Sequence, residues 1–509
     1  MGQETRVDPL TPLDPPRRFG AVLRRLGPGL IVAGSIVGSG ELIATTKVGA
    51  QSGFVLLWLI LLGCLVKVFT QVEFGRAAVV SGRTALGTLD DLPGPRWRVG
   101  WAVWLWALMT LLTLAQLGGI VGGVGQALAV AFSWTDGGRQ LEAVNSELVR
   151  LQVQAALGAV PAELASPEAL AARFDELRQR AATLSGAPDV AIWAAVLALP
   201  TSVILVLGRF TLIQLVATAL VVSFTIVTVA TVVLLQLQPD WAIRADEIVS
   251  GLRLQLPSDP SGETAPMGTA LAAFGIIGVG AAELVMYPYW CLEKGYAKFT
   301  GPQEQSEEWR GRARGWLRVM QCDAWLSAAV YTFATVAFYL LGAAVLGRVG
   351  LDPEKDLMVR TLSEMYAPVF GSWATPMFLV AAFCVLYSTF FVGIAGLARV
   401  AADCVVRMQR AAGEHGEQLR ARWTRIFCGL LPIICLLVFV FVQAPARLVL
   451  AGGVAQALML PVLGAAALWA RHRRTDRALA PSRVWDLFLW LSCLAFVVVA
   501  GWSLVTLLG

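Results

Sequence analysis

Glu41 follows Gly38-Ser39-Gly40 inside one apolar stretch, and Glu283 lies in another, within Ala-Ala-Glu-Leu-Val-Met-Tyr-Pro. A carboxylate beside the open carbonyls of an interrupted helix is a set of hard oxygen donors, suited to Na⁺, Mg²⁺ or Mn²⁺. A carboxylate can also titrate and so carry a proton. Two that face each other would share a metal or one proton. The structural alternatives are an ion pair for Glu41, with Lys47 or Lys67, and backbone hydrogen bonds within a broken helix for Glu283. Lys47 and Lys67 are ammoniums in equally apolar surroundings. They could offset Glu41, Glu283 or Glu73, and they leave an anionic or zwitterionic solute open. Ser388 and Thr389 place two hydroxyls side by side, which could complete a Na⁺ site or bond back to their own helix.

These residues need elements that hold them inside a membrane. The 509 residues are 57% hydrophobic and 15% charged, with mean hydropathy +0.67. Soluble domains carry about 25% charged residues, so the chain reads as an all-α polytopic membrane protein. Apolar runs predict about eleven spans, at 28–50, 53–75, 99–132, 189–207, 210–236, 267–291, 318–347, 371–405, 424–443, 447–469 and 485–507. The net charge of +5 comes from Arg between spans and carries no nucleic-acid signal. Counting Lys and Arg by segment puts roughly 27 on one side and about 11 on the other, with Arg310, Arg312, Arg314 and Arg318 and then Arg471, Arg473 and Arg474 as markers. The expectation is an integral protein of the inner (plasma) membrane, N-terminus cytoplasmic and C-terminus outside. The polar, Pro-rich start predicts no cleaved signal peptide. Residues 133–188 read as a helical hairpin, with Leu141, Val144, Leu148 and Leu151 on one arm and Leu170, Phe174, Leu177 and Leu184 on the other.

Span 1 is interrupted over 34–40 by Gly and Ser, and span 6 by Gly275, Gly278, Gly280 and Pro288. Bilayer hydrocarbon offers no partner to an unpaired backbone, so such breaks survive only where they line a cavity or are buried in protein. Interruptions in the first and sixth of ten spans predict two inverted five-span repeats plus an eleventh helix. The expected organisation is a tail (1–26), a first repeat (27–236) carrying the hairpin insert, an outer loop (237–266), a second repeat (267–470) and the last helix (485–509). Tyr287, Tyr289 and Trp290 sit where a cavity or gate would be. The two His fall in polar loops, which excludes a His-based proton relay. The eight Cys show no C-x-x-C pair. No nucleotide or hydrolase motif is present, which argues against an ATP-driven pump or an enzyme.

Span 1 reads Gly27-Pro28-Gly29-Leu30, then Gly38-Ser39-Gly40-Glu41, then Val48-Gly49-Ala50-Gln51-Ser52-Gly53-Phe54, and in this order the chain resembles the Nramp family of divalent-metal transporters, whose span-1 pattern is GP…DPGN…AGAxxGY. TQVEFGRAAVVSGRTALGTL after Phe69, YSTFFVGIAG around Ser388 and Ala457-Leu458-Met459-Leu460-Pro461 are similar to its spans 2, 8 and 10. The resemblance implies a LeuT-type fold, with spans 1, 2, 6 and 7 rocking against 3, 4, 8 and 9. The departures fall on the chemistry. The family's metal-binding Asp aligns with Gly38 and its Asn with Glu41. Its span-6 Met-Pro-His has no match, the nearest being Met286-Tyr287-Pro288, or Leu284 by a different gap placement. Its span-10 Gln lands near Gly453, with Gln456 a turn away. Its span-3 carboxylates and span-9 basic residue are missing.

The expectation is a secondary active transporter of a small ion, a hard divalent cation foremost. Gly38, Ser39, Gly40, Glu41, Glu283, Met286 and Tyr287 would bind it, with Glu41 and Glu283 as metal ligands. The alternatives are a Na⁺- or H⁺-coupled transporter of a small anion or organic solute, and a non-transporting receptor or scaffold. No permanently bound cofactor is expected. The partners are the lipid bilayer and the transported ion, with H⁺ or Na⁺ as coupling ion.

Overall fold

The computed structural model describes residues 12–185, 188–208, 210–257, 265–353 and 357–508. Among the described residues ten helices are long and apolar enough to cross a membrane, and a bent pair, Pro28–Ile36 with Gly40–Ser52, supplies an eleventh span. Span 1 consists of that pair, bent by 43°. Spans 2 to 5 are Leu57–Ser81, Trp101–Ala131, Asp189–Leu207 and Phe210–Leu235. Span 6 has two halves, Ala265–Ile276 and Ala281–Lys294. Spans 7 to 11 are Glu307–Leu341, Ala374–Met408, Gly413–Val442, Pro445–Arg473 and Arg483–Leu508. The only strands among the described residues are Arg96–Trp97 and Val99–Gly100, an antiparallel pair before span 3.

Burial separates core spans from lipid-facing ones. The apolar window of span 6 is 89% buried and that of span 2 is 78%, against 28% for spans 4, 5 and 9. Spans 2 and 6 therefore run through the middle of the bundle, and the apolar outer faces of spans 4, 5 and 9 are those a bilayer would cover. Span 3 approaches its neighbours through its glycines: a Cβ at Gly118 would lie 2.8 Å from the Cys435 carbonyl of span 9, and one at Gly119 2.6 Å from the Pro445 carbonyl of span 10.

Both breaks are shorter than the Gly and Ser content suggests. The first half of span 1 stays helical through Gly34 and Ser35, and only Val37 and Gly38 leave the helix before Ser39 and a π-helical turn at Gly40–Thr45 resume it. In span 6 the break covers Ile277–Gly280, and Gly278 adopts φ +57°, a left-handed conformation that a side chain disfavours. Pro288 does not contribute to the interruption; it lies inside the continuous helix Ala281–Lys294. Asp323 of span 7 closes the start of span 1 by accepting the amides of Gly27 (2.8 Å) and Gly29, donors that a helix N-terminus leaves open.

Within 133–188, helices Asp136–Ala156 and Pro167–Leu184 pack on each other through Val144, Leu148, Leu151 and Leu177. Thr135 and Ser166 cap them by accepting the amides of Gly138 and Ala169.

Candidate functional site

The two breaks meet at Glu41. Its Oε2 accepts the Gly38 amide at 3.0 Å and its Oε1 accepts the Thr335 hydroxyl of span 7 at 3.2 Å. The amides of Gly278 and of Glu41 itself also donate to it. The carboxyl group is wholly buried and lies in the first turn of the second half of span 1. Its oxygens are committed to the backbone of both broken spans and to a span-7 hydroxyl.

Glu283 has a different surrounding. It lies in the first turn of the second half of span 6, and its Oε1 accepts the Ser35 hydroxyl at 2.9 Å. Its own amide is the backbone donor to it. Gln456 of span 10 reaches the same place, with its Oε1 accepting the Ala282 amide at 2.9 Å and its Nε2 donating to Gln116 Oε1 of span 3 at 2.7 Å. A Cβ at Gly280 would stand 2.4 Å from Glu283 Oε2 and 2.7 Å from Gln456 Oε1. The two acceptor oxygens thus lie close together against Gly280, and a side chain there would displace them. Ser35, Glu41, Gln116 and Gln456 are all buried, whereas Glu283 keeps accessible surface. It is the member of this cluster that an incoming solute can touch.

Gly38 stands where the Nramp resemblance expects an Asp. A Cβ there would lie 1.5 Å from Thr389 Oγ1. The Thr389 side chain fills the place of any side chain at 38, so the two positions are sterically linked. The Thr389 and Ser388 hydroxyls both donate to Val385 O, at 3.1 and 2.9 Å. Ser39 is buried, and its hydroxyl has no hydrogen-bond partner among the described residues. Gly40 packs on the end of the first half of span 6, its Cβ position 3.1 Å from Ile276 O.

Four expected residues point elsewhere. Lys47 pairs with Asp352 at 2.8 Å, not with a site carboxylate. It lies six positions beyond Glu41, across the π-helical turn, and its side chain is directed to Asp352. Lys67 donates to the carbonyls of Phe274 and of Ile277, the latter at 2.7 Å, and makes no hydrogen bond to a carboxylate. Met286 packs against Gly396 of span 8, where a Cβ would meet its sulfur at 2.5 Å. The Tyr287 hydroxyl donates to Met320 O and Asp323 Oδ2, each at 3.3 Å, below the break. Gly453 serves helix packing, its carbonyl lying 2.0 Å from a Cβ position at Gly275. Gln456, one turn along, brings the amide. The residue-by-residue reading missed Gln116, Thr335 and Asp323, and took Ser35 only as a helix interrupter. The available signal was an amide in the middle of an apolar span for Gln116, and for Asp323 that it is the one carboxylate of 318–347.

Helices broken at the first and sixth positions of an eleven-span bundle, with an acid at each break, define a membrane transporter for a small ion with the LeuT-type inverted repeat. Residues 159–506, well over half of the chain, match the family described as Natural resistance-associated macrophage protein-like, and the chain belongs to this Nramp family. Two mutants of the manganese transporter of Eremococcus coleocola share its fold with TM-scores of 0.61 and 0.62, at 15% identity, over 98% of this chain and 90% of theirs. The same transporter in complex with an aromatic bis-isothiourea substituted compound gives 0.58 at 14% identity, over 98% of this chain and 89% of that one. No curated protein matches the chain in sequence.

Proposed function

We propose that this transporter moves a hard divalent cation through a site centred on Glu283. The carrying observation is the convergence of Glu283 Oε2 and Gln456 Oε1 beside Gly280, with Ser35 on the other carboxylate oxygen. Every donor in that cluster is oxygen. Met286 is turned onto span 8, so the soft ligand that would favour Mn²⁺ or Fe²⁺ over harder ions is not among them. Few ligands and one carboxylate suit an ion that keeps much of its water, as Mg²⁺ does. Glu41 has an architectural part in this reading: it joins the two breaks so that they move together. We assign the chain no enzymatic reaction.

The ion would pass by alternating access, spans 1, 2, 6 and 7 rocking against 3, 4, 8 and 9, with a proton or Na⁺ gradient as the driving force. We place the N-terminus in the cytoplasm and the C-terminus outside the plasma membrane. The support is that Arg310, at the start of span 7, and Arg474, after span 10, contact Asp476 (3.9 Å) and Asp91 (3.4 Å), so the Arg-rich segments share one face. The manganese transporters that share the fold favour a divalent cation over an anion. So does the engagement of Lys47 by Asp352 and of Lys67 by two carbonyls, since neither ammonium is turned to a solute.

The test is uptake of Mg²⁺, Mn²⁺ and Ca²⁺ into proteoliposomes. Saturable uptake of at least one, with the hard ions competing and Glu283→Gln inactive, is expected. Uptake indifferent to Glu283→Gln contradicts the site.

A further inference from the structure

Lys67 is wholly buried, about midway along span 2. An ammonium at that depth is costly unless its donors are satisfied. Its partners are the carbonyls of Phe274 and Ile277, and its charge lies 4.8 Å from the centroid of the Phe274 ring. The Phe274 carbonyl belongs to the last turn of the first half of span 6, and Ile277 is the first residue past it. Carbonyls left open at a helix C-terminus carry the negative end of its dipole and bind cations. Glu283 and Glu41 are the carboxylates close enough to act on the ammonium electrostatically, yet the hydrogen bonds go to the carbonyls. One turn further along span 2, Gln71 is wholly buried with neither amide atom partnered among the described residues, and the buried Thr70 hydroxyl is likewise without a partner there. Span 2 therefore sets an ammonium on a carbonyl pair, with further uncommitted polar atoms beside it.

We infer that Lys67 is a tethered cation: its ammonium fills a monovalent-cation position made by the Phe274 and Ile277 carbonyls of the span-6 break, and a free alkali cation takes that position only when the lysine charge is removed. Native transport accordingly needs no Na⁺ at the span-6 break. This deepens the transport reading by specifying its ion dependence, and it rests on that reading only for flux.

The test uses the purified full chain and reads thermal unfolding in NaCl, KCl and choline chloride at equal ionic strength, so that it is independent of transport. Wild type and Lys67→Arg are expected to unfold at the same temperature in all three. Lys67→Met and Lys67→Gln are expected to be less stable in choline and to gain about 5 °C, saturably, with Na⁺ or K⁺. Folded neutral variants with no alkali-dependent gain overturn the proposal. So does an alkali-dependent gain in wild type, which decides the matter even where the neutral variants do not fold. Absent metal uptake with this stability pattern intact would count against the transport reading alone.

Discussion

Glu41 and Glu283 differ in what their oxygens touch, and substitutions should separate them. In Glu41→Gln one oxygen becomes a donor facing the Gly38 or Gly278 amide, and a buried donor left without an acceptor costs about 1–3 kcal/mol. Lower thermal stability is the expected outcome. Glu283→Gln keeps an acceptor for the Ser35 hydroxyl. It should unfold near the wild-type temperature while losing cation binding by tenfold or more, about 1.4 kcal/mol, in equilibrium binding assays. Restoring an Asp at position 38 tests the steric link to Thr389: Gly38→Asp alone should express poorly, whereas Gly38→Asp with Thr389→Gly should recover the yield of folded protein on size-exclusion chromatography. At this scale the two acids were legible because a carboxylate in an apolar run stands out. Their partners were not, because Ser35, Thr335 and Gln456 reach the site only through contacts between distant spans. Lys47 and Lys67 were legible as unusual, but the direction each side chain takes depends on helix phase and on where span 6 breaks.

Among the elements, the breaks were readable as Gly-rich and Ser-rich interruptions, and their limits were not. Gly34 and Ser35 are tolerated in a helix whose neighbours bury it, and Pro288 sits in a helix that continues past it. One inter-element tie lies away from the site. Asp403 of span 8 accepts the Thr84 hydroxyl (2.8 Å), the Tyr289 hydroxyl of span 6 (2.8 Å), Arg407 (2.9 Å) and Arg420 of span 9 (2.7 Å). It thus joins elements of the proposed rocking set to elements of the proposed stationary one. Asp403→Ala should loosen that tie and raise labelling of a cysteine placed at Gln71 several-fold from the face bearing the Arg clusters; unchanged labelling would remove the gating role. The hairpin helix Asp136–Ala156 carries a pH signal of its own. Burial pushes the Glu142 carboxyl up to about 7, opposed by Arg360 at 3.7 Å. A raised carboxyl favours the folded state when protonated, so its contribution is complete below the ordinary value of about 4.5 and is lost as pH rises through about 7. Amide exchange over 136–156 should therefore speed up between pH 5 and pH 8 beyond the intrinsic trend, and Glu142→Gln should remove that excess.

For the whole molecule, the count of spans and the first-and-sixth interruption follow from hydropathy and glycine placement, because a bilayer forces every backbone group into a helix or a protected gap. The substrate is less legible. The residues that the resemblance sets against the Nramp metal ligands, Gly38 and Glu41, have steric and backbone duties in the structure. In the proposed site the chemistry falls to Glu283, Ser35 and Gln456, a set that no single span displays. Whether this rebuilt centre still carries a divalent cation is the central claim. The measurement is uptake of Mg²⁺, Mn²⁺ and Ca²⁺ into proteoliposomes holding the full chain, wild type beside Glu283→Gln. The account predicts saturable uptake of a hard divalent cation by wild type and none by Glu283→Gln of equal folded content. No uptake of any of the three by folded wild type, or equal uptake by both proteins, would contradict it.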